Sequence, residues 1–302
     1  MLTILAKHKI SLFIFDKMKS FLLLIIISPI YLLSSNGDGP IGVRSAALGH
    51  ASSTLFDVWS TRNNQGSLGF VRKTEVGAFY ENRFFVKELS KSGFAVAAPI
   101  KKGTFGLSYS SLGYNLYRES QATLSYGMKL SENVSAGIGV DYLNTKIADI
   151  YGQAHAFTGS VGLTAKILPQ MIVSTHIYNP FRAKITNYNN EKIPTIFKLG
   201  AQYLFSKKVF LVAEAEKTSA QKINVKGGIE YNPSSLIYLR VGGSSYPTQA
   251  AFGLGVNYNG LKIDMSTSYH NVLGFSPQIG LSYAFGKDKT KKLTTTEEVE
   301  KL

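Results

Sequence analysis

The sequence predicts an all-β fold: a transmembrane, antiparallel, up-and-down β-barrel of about 14 strands with a small N-terminal plug. Three observations predict it: an export signal, long segments in which apolar and polar residues alternate, and connections that alternate between tight turns and longer links. The composition agrees, because 44% hydrophobic residues with 17 Tyr, 18 Phe and 28 Gly suit membrane strands flanked by aromatic belts.

The net charge of +14 does not indicate nucleic-acid binding. A nucleic-acid-binding protein gathers its Lys and Arg into one patch or helix, whereas here they are spread along the predicted strands and turns. Contact with anionic lipid head groups of the outer membrane is favoured instead. The chain has no cysteine, which excludes disulfides, Cys-ligated metals, thiol catalysis and a lipoprotein anchor.

Residues 1–35 are interpreted as a signal peptide. Two lysines precede an apolar run of 13 residues, Phe21–Leu33, and small polar residues follow it. A membrane-spanning helix is the alternative, but the run is shorter than the roughly 20 residues that such a helix needs, and Pro29 interrupts it. The long extension before this signal suggests that Met18 is the true start. We therefore expect export to the outer membrane of a Gram-negative bacterium.

The alternation is clearest in Gln121–Leu130, where Leu124 and Tyr126 share one face and Thr123 and Ser125 the other. Segments of this length, repeated this often, favour a membrane barrel over a soluble sandwich, whose strands are shorter. The same pattern places strands near residues 75–83, 90–99, 103–112, 118–130, 134–147, 153–167, 170–178, 194–205, 208–217, 222–232, 235–245, 249–259, 261–271 and 276–286.

The connections predict the orientation of the barrel. Tight turns such as Asn259-Gly260 alternate with mostly longer links, and membrane barrels keep their short turns in the periplasm. Both barrel termini are therefore expected in the periplasm. The longest link, Asn179–Ile193, is the best candidate for an external lid or contact surface; its candidate contact residues are Pro180, Arg182, Lys184 and Tyr188.

Three parts of the mature chain follow from these assignments. Residues 36–73 do not alternate and are expected to be a plug, residues 74–286 are the barrel, and residues 287–302 are a flexible, charged periplasmic tail. The plug region is too short and too rich in Gly and Ser to bury a core of its own. Its expected anchors to the barrel wall are Arg44, Asp57, Trp59, Arg62 and Asn63.

The segment GVRSAALGHASSTLFDVWSTRNNQGSLGF, residues 42–70, resembles the opening of the long-chain fatty-acid transporter (FadL-type) superfamily of outer-membrane barrels, and more closely its PorV/PorQ-like branch. In that family a G-x-R-x-x-x-x-G segment and a D-x-x-x-x-x-N turn form a hatch that enters the barrel from the periplasm. Tyr178–Pro180 and Ile193–Gly200 resemble the family's exit from an outer loop. Two departures are Asn63–Leu68, which replaces the family turn Asn-Pro-Ala-Gly-Leu, and the 16-residue tail from Lys287.

No catalytic, cofactor or metal site is predicted. Apart from His8 in the leader, the histidines are single and scattered, and no pair has metal-ligand spacing. His270 with Asp264 and Ser266 could be drawn as a catalytic set, but these residues are better explained as polar side chains that face water in the lumen.

Charged side chains on the inward faces have two interpretations. They could line a solute-selecting passage, but structural pairing that fixes the plug is favoured. The residues are Asp141, Lys198, Glu214, Glu216, Lys222, Lys226, Glu230, Lys262 and Asp264.

The resemblance implies two functions. One is an accessory or interaction subunit of an outer-membrane secretion or surface-anchoring system, as in type IX secretion, with protein partners. The other is a channel for passive uptake of small hydrophobic molecules. A charged, Gly- and Ser-rich lumen favours the partner function, and the hydrophobic channel is the alternative.

Overall fold

Fourteen antiparallel strands close into a barrel in the computed structural model, which describes residues 39–148, 152–185, 192–219 and 221–286. Each strand pairs with its neighbours in the chain, and the first strand pairs with the last to close the sheet. The predicted fold class and strand number are confirmed. The predicted signal peptide and C-terminal tail lie outside the described residues.

The sequence located every strand end to within two residues. The strands are β1 (Glu75–Asn82), β2 (Ser90–Ile100), β3 (Gly103–Gly113), β4 (Tyr117–Lys129), β5 (Val134–Ile147), β6 (Gly152–Leu168), β7 (Met171–Tyr178), β8 (Ile196–Leu204), β9 (Val209–Thr218), β10 (Asn224–Tyr231), β11 (Ile237–Ser245), β12 (Thr248–Tyr258), β13 (Leu261–His270) and β14 (Gly274–Ala284). We call the end with the turns after β2, β4, β6, β8, β10 and β12 the short-turn end, and the opposite end the long-loop end.

The strands are apolar outside and polar inside. In β4, Leu124 is 60% exposed, whereas its neighbours Thr123 and Ser125 are 0% and 2% exposed. Exposed apolar residues recur on the outward face of every strand except β7, whose outward residues are half-buried, and lipid covers such a band in membrane barrels. Within the described residues, no helix is long and apolar enough to cross a membrane.

Outward aromatic pairs lie towards both ends of the strands. At the short-turn end, Phe105 packs on Tyr126 and Tyr203 on Phe205, with ring centres 4.9 Å apart in both pairs. Towards the long-loop end, the corresponding pairs are Phe94–Tyr109, Tyr142–Phe157 and Tyr269–Phe275. Two such belts mark the upper and lower limits of the hydrocarbon in membrane barrels.

The N-terminal segment, residues 39–74, lies inside the barrel. It contains three short helices, α1 (Val43–Ala47), α2 (Ser60–Asn63) and α3 (Gln65–Leu68). Helix α1 contacts β11 to β14, α2 contacts β2 to β4, and α3 contacts β4 to β7. The segment therefore reaches most of the wall from within, and its apolar side chains are buried against strand residues rather than against each other alone.

Candidate functional site

A chain of ion pairs joins helix α1 to three strands. The Arg44 guanidinium donates to both oxygens of Glu230, at 2.8 and 2.9 Å, and lies 3.4 Å from Asp57. Glu230 also accepts from Arg240 at 2.7 Å, and Arg240 donates to Asp264 at 2.5 Å. These five residues, the arginine network, border a cavity of about 210 Å³. Two-pronged bonds between Arg and a carboxylate fix both position and orientation.

Arg44 stays charged inside the barrel. Burial lowers the pKa of its guanidinium, but attraction to Glu230 and Asp57 outweighs burial and raises that pKa above its ordinary value. The two carboxylates therefore offset the cost of burying the Arg44 charge.

A second set of charges holds the turn after α1. The Glu214 carboxylate accepts the backbone N–H groups of Ser52 and Ser53, at 3.0 and 2.8 Å. Behind it, Lys226 lies 3.6 Å from Glu214 and 2.6 Å from Glu216. Lys198 adds a contact of 3.7 Å to Glu216. The lumen-facing charges of β8, β9 and β10 therefore pair with each other and with the N-terminal segment.

Helix α3 is fastened to β6 by neutral hydrogen bonds. The Asn64 amide donates to Thr164 at 3.2 Å and to the Ser53 carbonyl at 2.7 Å. The Ser67 hydroxyl lies 3.0 Å from the Thr164 hydroxyl. These bonds satisfy polar groups that would otherwise be buried without partners, which is costly inside a protein.

The structure places the remaining predicted anchors in different contacts. Trp59 packs edge-on against Phe79, with ring centres 5.4 Å apart. Arg62 donates to the Ser110 hydroxyl of β3 at 2.8 Å. Asn63 bonds the backbone of Ile41 through both atoms of its amide, so it ties the segment to itself rather than to the wall.

The remaining predicted lumen charges behave differently from one another. Asp141 is buried and accepts from Gln121 at 2.9 Å and Thr123 at 2.5 Å. Lys262 is partly exposed and lies 3.9 Å from Glu75. Lys222 is not placed on the inner wall of a strand by the structure. It precedes β10 and is exposed. The prediction included it because the alternation of polar and apolar residues in the sequence starts before the strand does.

Glycines of the wall allow the N-terminal segment to approach the strand backbone. A Cβ at Gly162 of β6 would collide with the Asn64 side chain and lie 2.7 Å from the backbone nitrogen of Gly66. Similar contacts join Gln65 to Gly137 and Leu48 to Gly228. The alternating pattern gave no sign of these contacts, because a strand glycine alone does not show what lies against it.

Replacement of Gly162 by alanine should therefore loosen the segment. Crowding of a packed interior typically costs about 1–3 kcal/mol, and we expect a lower unfolding temperature with faster proteolysis between α2 and β1. Gly159→Ala is the matched control in the same strand, since a Cβ there would meet its first neighbour at 3.5 Å. Equal effects of the two substitutions would show that strand propensity, and not contact with the segment, explains the loss.

At the long-loop end the inner wall becomes apolar. Leu143 of β5 and Ala154 and Ala156 of β6 are buried on the inward face, beneath Ile185 and Ile193 from the two sides of the loop between β7 and β8. Tyr178 and Ile196 complete this cluster, which we call the apolar mouth. Among the described residues, it is the one buried apolar cluster of the inner wall that contains no residue of the N-terminal segment.

Asn179 holds this loop in place. Its amide donates to the Ile193 carbonyl at 2.7 Å and accepts from the Ala183 backbone at 2.9 Å and from Thr158 at 2.7 Å. Asn179 is fully buried and has a φ of 51°, a left-handed conformation that Asn tolerates better than most residues. The predicted contact residues Pro180, Arg182 and Lys184 are exposed, and Tyr188 lies outside the described residues.

Between the apolar mouth and the N-terminal segment lies a void of about 20 Å³. His176 and Lys198 line it from the wall, and Arg62 lines it from α2. His176 is 3% exposed, and neither ring nitrogen has a hydrogen-bond partner among the described residues. The void has room for about one water molecule.

The chain resembles known proteins in structure and not in sequence. No protein-family model matches the chain, and no curated protein matches it in sequence. The toluene transporter TodX of Pseudomonas putida superposes with a TM-score of 0.62 and 13% identity, covering 82% of this chain and 98% of that one. The fold is that of the hydrocarbon-transporter barrels.

Two further structures agree with this result. The toluene transporter TbuX of Ralstonia pickettii gives a TM-score of 0.59 at 12% identity, covering 84% of this chain and 100% of that one. A FadL homologue of Pseudomonas aeruginosa gives 0.59 at 11%, covering 82% and 99%. Relatives of the hydrocarbon-transporter barrels at this identity share a fold, not necessarily a substrate. They support the FadL-type resemblance, and the PorV/PorQ-like branch stays a prediction.

Proposed function

We propose that this protein is an outer-membrane channel for passive uptake of small hydrophobic molecules, with the N-terminal segment as its plug. The observation that supports this proposal best is the apolar mouth, because the inner wall of a barrel for polar solutes would be polar at its entrance. The neighbouring structures support the same solute class, since two of them are described as toluene transporters. In this proposal the long-loop end faces outward and the termini lie in the periplasm.

The apolar mouth offers a hydrophobic molecule a site that water does not favour. Ile185 and Ile193 occupy it in the structure, in contact with Leu143 and the two alanines of β6. Burying apolar surface gains roughly 25 cal/mol per Å², so a small apolar solute could replace the contacts that these isoleucines make. Beyond the mouth, the arginine network and the Glu214 contacts hold the plug in its closed position.

Uptake of N-phenyl-1-naphthylamine tests the proposal, because this probe fluoresces in membranes and an intact outer membrane excludes it. Gram-negative host cells that produce the intact protein should take up the probe faster than cells with an empty vector. Leu143→Gln should slow uptake by roughly tenfold, since an amide without a partner opposes an apolar site by about 1–3 kcal/mol. Leu143→Met is the control, because it keeps both volume and polarity.

Two results would contradict the channel. Uptake by the intact protein no faster than in empty-vector cells would reject it. Equal uptake by the Gln and Met variants would show that solute does not pass the apolar mouth. Heat-modifiable gel mobility of each variant verifies that the barrel has folded.

A second candidate is the accessory subunit of a secretion or surface-anchoring system. It is favoured by the ion pairs that fasten the N-terminal segment at Glu230 and Glu214, because a barrel that never opens needs no movable plug. For this function we expect a stoichiometric protein partner after mild detergent extraction of outer membranes, and no uptake of the probe. Probe uptake without such a partner would reject it.

A further inference from the structure

We propose that a cleft at the short-turn end binds the head group of an anionic phospholipid. Arg72, Lys101, Lys102 and Lys129 line this cleft, which has a volume of about 590 Å³ and which we call the basic cleft. It lies between the chain that leaves the barrel interior before β1, the turn between β2 and β3, and the end of β4. The proposal goes beyond the proposed transport function and does not depend on it.

The four cations are available to a ligand. All four are exposed, and none forms a salt bridge within the described part of the chain. The turn that follows β4 contributes one acid, Glu132, which is exposed and forms no salt bridge with a described residue either. The four cations repel one another, and an anionic ligand bound between them would reduce this repulsion.

Aromatic contacts position a further cation beside the cleft. Lys129 and Lys166 both lie over the Phe70 ring, with their amino groups 5.5 and 4.5 Å from its centre. Phe70 itself packs on Phe56, with ring centres 5.0 Å apart. Cation–π contacts of this kind restrict a lysine side chain without neutralising its charge. The two amino groups are therefore held near the cleft, where they add to its attraction for an anion.

The apolar side of the cleft favours a phospholipid over free phosphate. Ile100 and Met128 line it and also belong to the outward, lipid-covered face, where they are 51% and 38% exposed. They lie close to the aromatic belt formed by Phe105 and Tyr126. A phosphate held by the cations would thus have acyl chains that continue along Ile100 and Met128 into the hydrocarbon. Free phosphate would make no use of these two residues.

Native mass spectrometry of the full-length, detergent-solubilised protein tests this site with two lipids of equal chain length. We expect phosphatidylglycerol to be retained in preference to phosphatidylcholine. The variant Lys101→Gln/Lys102→Gln/Lys129→Gln should reduce phosphatidylglycerol binding by on the order of a hundredfold, because each of the three cations near an anionic lipid surface contributes roughly fivefold in affinity. All three side chains are exposed, so the barrel should fold normally.

The matched control removes charge from the same rim but outside the cleft. Lys207 and Lys208 lie in the turn between β8 and β9 and are equally exposed, and Lys207→Gln/Lys208→Gln should leave binding within about twofold of the intact protein. An equal loss of binding in both variants would contradict a defined site, because it would show that the whole basic rim attracts the lipid. Equal retention of the two lipids by the intact protein would overturn the proposal. Full displacement by millimolar inorganic phosphate would show that the cleft recognises phosphate and not the lipid.

Discussion

Replacement of Glu230 by alanine should release the N-terminal segment from the barrel wall. Glu230 is the shared partner of Arg44 and Arg240, and it accepts three hydrogen bonds of 2.7 to 2.9 Å from them. Its removal leaves Arg44 with only the longer contact to Asp57, and leaves Arg240 with Asp264. Breaking a buried ion pair by removing one partner costs about 3–5 kcal/mol. This is the largest effect that we expect from a single substitution.

Planar-bilayer conductance and limited proteolysis would measure this release. The intact barrel should be closed and resistant, whereas Glu230→Ala should show raised conductance and cleavage within residues 39–74. Lys262→Ala is the matched control at the same cavity. The Lys262 amino group lies 3.9 Å from the Glu75 carboxylate, and the Lys262 side chain is 34% exposed. Loss of this ion pair should therefore cost less than about 1 kcal/mol. A Glu230 variant as closed and as resistant as the intact protein would contradict the role given to the arginine network.

The barrel could be predicted from the sequence because its signal is local. Each strand alternates within itself, as Thr123, Leu124 and Ser125 do, and burial follows that alternation. In a membrane strand the apolar face must point outward, since that face contacts the hydrocarbon. Lys222 shows the limit of this reasoning, because polar and apolar residues alternate past the end of a strand without any signal that pairing has stopped.

The contacts that fasten the segment could be predicted only in part. Arg44 was predicted as an anchor and bonds Glu230 of β10, whereas Arg240, which shares that carboxylate, was not predicted. Asp57 was also predicted as an anchor, but its carboxylate bonds Arg44 and the Trp59 backbone, both within the N-terminal segment. Arg44 and Glu230 are 186 residues apart in the chain, and only the closure of the barrel brings them together. Asn179 was missed for a different reason. Its role depends on a left-handed backbone and three simultaneous hydrogen bonds, none of which a residue type specifies.

The two proposed functions make different demands on the same contacts. A channel needs a plug whose attachment is strong but reversible, and the Glu214 carboxylate, which holds two backbone N–H groups, could exchange them for water or solute. A permanent subunit needs no such exchange. The Glu230 experiment therefore also bears on function. If release of the segment opens the pore and speeds probe uptake, the arginine network controls passage. If it only destabilises the barrel, the network is structural.

The second large effect concerns the outer face. Leu124→Arg should block assembly, because Leu124 lies midway along β4, is 60% exposed and faces outward. An arginine at the bilayer midplane costs roughly 2–4 kcal/mol in membrane barrels, and this cost falls to about 0–1 kcal/mol near the interface. Leu130→Arg is the control, since Leu130 lies just beyond the end of β4 and is 58% exposed.

The measurement is the fraction of protein that shows heat-modifiable mobility after refolding into detergent and after extraction from outer membranes. We expect most of the Leu130 variant to fold and little of the Leu124 variant to do so. If both variants fold equally well, the apolar outward face of β4 does not contact hydrocarbon. If both fail equally, the cost depends on the charge rather than on depth, and Leu124 does not lie at the membrane centre.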